Sequence, residues 1–241
     1  MKNPGILYIV ATPIGNLEDI TFRAVRILEE VDVVLCEDTR VTHKLLEHYH
    51  LETKTMSYFQ HSNLAKVDAI IKMLEEGTKM ALVTDAGTPG ISDPGQQLIA
   101  SIKEVDDSIQ IIPIPGSSAL AAAASVSGMI EKEFYFAGFL PKKKGRQTKF
   151  REFAKMEVPI VIYESANRLE RTLGDIKDYL GTNTEVFISR EITKMFEEYW
   201  GGKISKVLKD LDQHTMKGEI VLVIQRPRAK RKTEEEDLSV K

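Results

Sequence analysis

Short apolar runs separated by amphipathic stretches recur along nearly the whole chain, and no other feature restricts its fold so strongly. Ile6-Leu7-Tyr8-Ile9-Val10 reads as a buried strand, and Phe22, Val25, Ile27 and Leu28 follow at helical spacing. Val33-Val34-Leu35-Cys36 reads as a second strand, with a helix through Leu45-Leu46 after it. A helix over Val67 to Leu74 then precedes a strand at Met80-Ala81-Leu82-Val83. Ile111-Ile112-Pro113-Ile114 reads as a further strand, and the Ala-rich run Ala119 to Val126 as a buried helix. A strand–helix–strand rhythm of this kind predicts a largely parallel sheet covered on both faces.

The rhythm continues with different contents. Strands are predicted at Phe134-Tyr135-Phe136, Ile160-Val161-Ile162-Tyr163, Val186-Phe187-Ile188 and Ile220-Val221-Leu222-Val223-Ile224, with helices over 146–156, 167–180 and 203–211. At 241 residues the chain suits one large or two ordinary domains. The expected division is an N-terminal α/β domain over 1–117, a C-terminal α/β domain over 118–225, and a disordered charged tail over 226–241. The junction is expected near 117–132, where Ser127-Gly128-Met129 ends the Ala-rich helix. Charge follows the same division. Residues 1–116 carry 10 Lys/Arg against 17 Asp/Glu, and the rest carry 23 against 19, within an overall charge of −3.

Composition excludes several classes. With 42% hydrophobic and 29% charged residues, the chain can form a core. No apolar run approaches the roughly 18 residues of a membrane span, and the first residues hold no apolar signal core. A lone cysteine, Cys36, excludes a disulfide framework and any cysteine-rich zinc site, so a reducing cytoplasm is the expected location. His43, His48 and His50 lie close in sequence but lack an HExxH pattern or a cysteine partner, and read as exposed helix histidines rather than metal ligands.

Three glycine- and proline-rich loops each follow a strand: Ala11–Leu17, Asp85–Gly95 and Pro113–Ala119. Ligands of open α/β sheets bind beyond the carboxyl ends of the strands, and glycine lets backbone approach them closely. Neither a G-x-x-x-x-G-K-[ST] nor a strand-following G-x-G-x-x-G motif is present, which disfavours P-loop and dinucleotide sites.

Leu7–Thr21, Glu37-Asp38-Thr39-Arg40 and Asp85–Gly95 resemble the tetrapyrrole-methylase superfamily, in its branch of small-subunit ribosomal RNA methyltransferases. The resemblance continues through Pro115–Ala119, Gly138-Phe139-Leu140-Pro141, Tyr163-Glu164-Ser165, Ser189–Lys194 and Lys217–Val221. Ala166-Asn167 stands where Pro-His is usual, and Ser117 where proline is frequent. The chain also ends soon after its last predicted strand, where some members carry a C-terminal extension.

The resemblance implies two α/β domains with a cofactor cleft between them, S-adenosylmethionine as cofactor, and a homodimer. It implies methylation of the ribose 2′-oxygen of a cytidine in the decoding region of small-subunit (16S) ribosomal RNA, as naked RNA or as the 30S subunit. No DNA or membrane partner is expected. Carried over by motif position, the cofactor cradle would use Pro13, Ile14, Asp85, Gly87, Ile91, Ser117, Ser118, Tyr163, Arg190 and Gly218. A ribose hydroxyl is a weak acid, so a base or a cation facing developing negative charge assists its attack on the methyl group. Glu37, Asp38 and Arg40 form one candidate catalytic set, and Glu164, Arg190 and Glu191 a second; ion pairing is the competing role for both.

Lys142, Lys143, Lys144, Arg146, Lys149 and Arg151 place six cations in ten residues, a pattern suited to RNA phosphates or to a solvated loop. Arg226, Arg228, Lys230, Arg231 and Lys232 form a second, weaker basic cluster beside an acidic run. Two other readings stay open: a methylase acting on a small tetrapyrrole, and a ribosome-binding protein without catalysis.

Overall fold

In the computed structural model the structure describes residues 4–59 and 64–227. The chain divides into two compact units, one of residues 1–122 with 192–195, the other of 123–191 with 196–241.

The first unit alternates strand and helix throughout: β1 (Ile6–Val10), α1 (Phe22–Glu30), β2 (Val33–Cys36), α2 (Thr39–His48), β3 (Thr55–Ser57), α3 (Leu64–Glu75), β4 (Lys79–Leu82), α4 (Gln96–Val105) and β5 (Gln110–Ile114), and the division between the units falls within the next helix, α5 (Ala119–Val126). Its sheet has the order β3-β2-β4-β1-β5, and every pairing is parallel. Alternate residues of each strand feed two cores. Leu7, Ile9, Leu35, Met80 and Leu82 pack with Ile70 and Leu74 of α3 and Leu98 and Ile102 of α4. Val10, Val34, Cys36 and Ala81 face the other way, against Ile27 and Leu28 of α1 and Leu45 and Leu46 of α2. Both faces are therefore buried, which accounts for the near-continuous apolar strands. Local signals set the helix starts: the Thr21 hydroxyl accepts from the Ala24 amide at 3.1 Å, and the Asp38 carboxylate from the Arg40 amide at 2.8 Å.

The positions of these helices define a switch point in the sheet. β4 lies between β1 and β2, yet α4 packs on one face while α1 and α2 pack on the other. Connections leaving to opposite faces open the strand ends between them, which is where ligands bind in such sheets.

The second unit contains β6 (Tyr135–Phe139), α6 (Arg146–Phe153), β7 (Ile160–Ser165), α7 (Ala166–Leu180), β8 (Glu185–Arg190), β9 (Glu198–Lys203), α8 (Ile204–Asp210) and β10 (Glu219–Gln225). Its sheet is mixed rather than a repeat of the first: the order is β6-β7-β10-β8-β9, and only β6–β7 is parallel. The physical reason is connection length. β8 reaches β9 without an intervening helix, and a direct return places the strands antiparallel. One core gathers Ile160, Ile162, Ile188, Leu222 and Ile224 with Phe150 and Phe153 of α6, Leu169 and Leu173 of α7, and Ile204 and Val207 of α8.

Three elements lie outside the segments that periodicity picks out: β3, α4 and β9. From residue 228 onward the expected charged tail, including Arg228, Lys230, Arg231 and Lys232, lies outside the described residues.

Candidate functional site

In the first unit the three predicted loops meet at one sheet edge. Thr12 and Gly87 exchange backbone hydrogen bonds at 2.9 and 3.0 Å, which joins the loops after β1 and β4. The Thr12 hydroxyl also donates to the Thr84 carbonyl at 3.1 Å. The Thr88 hydroxyl donates to the Ser117 carbonyl at 3.2 Å, tying in the loop after β5. Ser117 in turn donates its hydroxyl to the Asp19 carbonyl at 3.0 Å. Gly87 is buried with φ +84°, and a Cβ there would lie 3.4 Å from Ile14 Cγ2. Pro13 is buried and Ile14, Ser117 and Ser118 are half-buried, whereas Ile91 is exposed.

The same edge carries four carboxylates on two loops. The Asp85 carboxylate accepts the Asp38 amide at 3.2 Å, which joins the loops after β2 and β4. Asp38 caps α2 and also takes a two-pronged contact from Arg40, with 2.6 Å between Nη2 and Oδ2. These bonds hold its carboxyl down at about 2. Glu37 is exposed, and its carboxyl is pushed up by desolvation and by the charges of Asp85 and Asp38. Asp93, half-buried at the end of the β4 loop, is pushed up to about 6 by desolvation and then by Glu37 and Asp85. Asp93 follows Ser92, whose φ of +63° is uncommon for a residue with a side chain. Asp93 is not among the sequence candidates; its place in the quoted loop was the available signal, but its partial burial beside two other carboxylates comes from the fold.

The predicted residues of the second unit lie in a different environment. Glu164, one of the predicted catalytic residues, is 1% exposed. Its carboxylate accepts from the Thr172 hydroxyl at 2.7 Å and the Ser165 amide at 2.9 Å, and pairs with Arg168 at 3.2 Å. Arg190 is 6% exposed, with its guanidinium donors spent on Glu198 and on the carbonyls of Lys217 and Phe196. Glu198 also meets His214 at 2.6 Å; burial would raise its carboxyl, but the bonds from His214 and Arg190 bring it below the usual value. Glu191, at φ +50°, receives the Glu219 amide at 2.9 Å and lies over Gly218, where a Cβ would sit 2.4 Å from its carboxyl carbon. Tyr163 is half-buried, with the rings of Phe136 and Phe139 at 5.0 and 5.4 Å.

The basic cluster also divides. Lys142, Lys143, Lys144 and Arg151 are exposed. Arg146 is 3% exposed, with its guanidinium against Asp175 at 2.7 Å and Thr172 at 2.8 Å. It is therefore an internal anchor and not a surface cation. Lys149 donates to the Tyr135 hydroxyl at 2.8 Å and to Glu152 at 3.1 Å. His43, His48 and His50 are exposed.

A fully parallel sheet with glycine loops joined at a switch point, followed by a second α/β unit, defines a two-unit α/β ligand-binding fold. The profile of the Tetrapyrrole (Corrin/Porphyrin) Methylases matches residues 6–208, and the chain belongs to that family. Within it, the chain is 45% identical over 221 residues to the Ribosomal RNA small subunit methyltransferase I of Synechocystis sp., covering 91% of this chain and 78% of that one. It is 42% identical to the protein of the same name from Thermotoga maritima, over 91% of this chain and 98% of that one. Among solved structures, a cobalt precorrin-4 methyltransferase of cobalamin biosynthesis shares the fold at a TM-score of 0.65 and 19% identity, over 90% of this chain and 93% of that one. Uroporphyrin-III C-methyltransferase from Thermus thermophilus, complexed with S-adenosyl homocysteine, shares it at 0.62 and 15%, over 91% and 97%.

Proposed function

We propose that the chain transfers a methyl group from S-adenosylmethionine to the ribose 2′-oxygen of a cytidine in small-subunit ribosomal RNA. The observation that carries this reading is the 45% identity, over nine-tenths of the chain, to a relative named for that ribosomal RNA. Tetrapyrrole methylases under 20% identical support the fold alone.

The first unit's strand edge suits the cofactor chemically. A sulfonium and an ammonium group are cationic, and Glu37, Asp85 and Asp93 give the edge negative charge, since Arg40 already offsets Asp38. Gly87 lets the β4 loop come close without a side chain, and Pro13, Ile14 and Ile91 offer apolar surface to an adenosine. The sulfonium supplies an already electrophilic methyl group when bound. The protein aligns the acceptor oxygen and takes its proton. Glu37, exposed and with its carboxyl raised, is a stronger base than an ordinary surface glutamate and is the residue we assign to that proton. Asp38 and Arg40 hold the start of α2 beside it. Ser118, Tyr163, Gly218 and Glu191 remain candidate contacts by motif position. Glu164 and Arg190 serve the interior of the second unit.

The active form is a homodimer acting on the 30S subunit in the cytoplasm. Exposed Phe22 and Leu64 offer apolar surface for self-association, and among the described residues no helix is long and apolar enough to cross a membrane. Sedimentation of the purified protein tests the dimer. Ribose-methylation mapping of ribosomal RNA from cells lacking the protein tests the reaction: one cytidine in the small subunit loses its 2′-O-methyl group. An unchanged map overturns it.

A further inference from the structure

Four consecutive backbone carbonyls ahead of α6 are all occupied by donors. Arg168 Nη2 donates to the Leu140 carbonyl at 2.7 Å, and Arg146 Nη1 reaches that of Pro141 at 3.5 Å. Arg171 Nη1 donates to the Lys142 carbonyl at 3.2 Å, and the Arg146 amide to that of Lys143 at 3.2 Å. Two of the three guanidinium groups are rooted in the interior. Arg168 pairs with Glu164, while Arg146 pairs with Asp175 and donates to Thr172, whose hydroxyl donates onward to Glu164. Gly145, at φ +84°, turns the chain from this segment into α6.

The result is a loop whose carbonyls from Leu140 to Lys143 are bound and whose lysine side chains are not. Lys142, Lys143 and Lys144 are exposed, and none pairs with an acid among the described residues. The nearby acids are engaged, Asp175 by Arg146 and Glu152 by Lys149. Three successive like charges repel one another, so an untethered loop would spread them apart. Here the carbonyl oxygens, which would repel a phosphate, are bound to donors, and the ammonium groups stand at fixed backbone positions.

We propose that Leu140–Gly145 is a preformed loop that grips the phosphodiester backbone of the RNA substrate through Lys142, Lys143 and Lys144. Arg168 and Arg171 act as positioning residues, and buried Glu164 roots Arg168. This rests on the reading of the chain as a ribosomal RNA methyltransferase. The charge favours a polyanion, and repeated cations on adjacent residues match a chain of phosphates better than one small anion.

The test uses the full chain and 30S subunits from cells lacking the protein, titrated over a range of salt. The K142Q/K143Q/K144Q variant is expected to flatten the dependence of log affinity on log salt by about 2, from three phosphate contacts at roughly 0.7 each on single-stranded RNA. KM for the 30S subunit rises about tenfold over the same contacts, while kcat and cofactor affinity hold. Arg171→Met, on the surface, is expected to raise KM several-fold with kcat unchanged, and Arg171→Lys to recover part of the loss. In the triple-glutamine background Arg171→Met has no further effect, because the tether acts through the lysines. An unchanged salt slope in the triple variant, or an Arg171→Met effect that persists in its background, overturns the loop proposal while methylation of the 30S subunit by the wild type still stands. Absence of wild-type binding and methylation overturns both.

Discussion

Both units carry acids and arginine at the ends of their strands, yet they use them in opposite ways. In the first unit Glu37, Asp85 and Asp93 share an edge where desolvation and mutual repulsion push the Glu37 and Asp93 carboxyls upward, and Arg40 pairs with Asp38. In the second unit Glu164 and Arg190 are enclosed, and each meets several hydrogen-bonding partners. The first arrangement leaves charge available to a ligand. The second spends it on holding loops and strands in place. A charged strand end is thus a functional signal only where the fold leaves it unsatisfied.

Glu164→Ala tests the contrast most severely. It leaves Arg168 and Arg146 short of a buried carboxylate, so unfolding in denaturant should register a loss of about 3–5 kcal/mol. Cofactor affinity of the folded fraction, measured by calorimetry, should be unchanged. Full stability with abolished methyl transfer would move Glu164 from the structural side of the comparison to the chemical one.

Gly87→Val comes next and should act on the other unit alone. Its φ of +84° and the 3.4 Å approach to Ile14 impose about 1–3 kcal/mol of strain on a side chain, and the methyl groups enter the loop surface. Calorimetry should register about a hundredfold weaker S-adenosylmethionine binding, combining that strain with lost approach. Wild-type affinity in the folded variant would remove the cofactor from this edge.

A smaller effect follows from Asp93. With its carboxyl at about 6, it is neutral below that pH and anionic above it, so affinity for a cationic cofactor should rise several-fold as pH passes from about 5 to 7. Asp93→Asn should flatten that rise. The stability effect has the opposite sign: the folded protein holds this proton more tightly than the unfolded chain, so the contribution is present below about 4 and lost as pH rises through about 6. Melting curves of Asp93→Asn across that window should therefore lose a decline that the wild type has. Identical pH profiles for the two proteins would mean that Asp93 does not titrate there.

Arg40→Ala should do least. The guanidinium is 85% exposed and already faces Asp38, so melting should not shift and turnover at saturating 30S subunit should stay within about twofold. A drop of orders of magnitude would return Arg40 to the reacting atoms.

Much of the first unit could be read from its residues, because a parallel sheet buried on both faces writes itself as runs such as Val33-Val34-Leu35-Cys36, bounded by turn residues. β9 could not. Glu198-Tyr199-Trp200-Gly201-Gly202-Lys203 shows no strand period, and it is a strand because β8 offers a ladder to it; Gly201 fits since a Cβ there would fall 2.4 Å from the Val186 carbonyl oxygen. The mixed second sheet is of the same kind: β10, last in sequence, inserts between β7 and β8, which no local pattern encodes. The candidate residues divide likewise. The motif loops carry the glycines, prolines and acids in their own residues, so the meeting of Thr12 with Gly87 could be anticipated from three loops on one sheet edge.

Whether a charge within those motifs is open or enclosed depends on residues outside the motif, some a helical turn away and others nearly thirty positions along the chain. Thr172 and Arg168 enclose Glu164, Asp175 draws Arg146 inward from the lysine loop, and Phe196 and Lys217 engage Arg190. Periodicity and turn residues determined most of the strands and the loops, because these arise from short-range patterns of burial and turn chemistry, and the loop residues carried the resemblance to the family. Satisfaction of a charge is a sum over neighbours in space. Only the tertiary structure, which brings α7 over β7 and the β8 end against Lys217, decided which of the predicted residues remain free to meet a ligand.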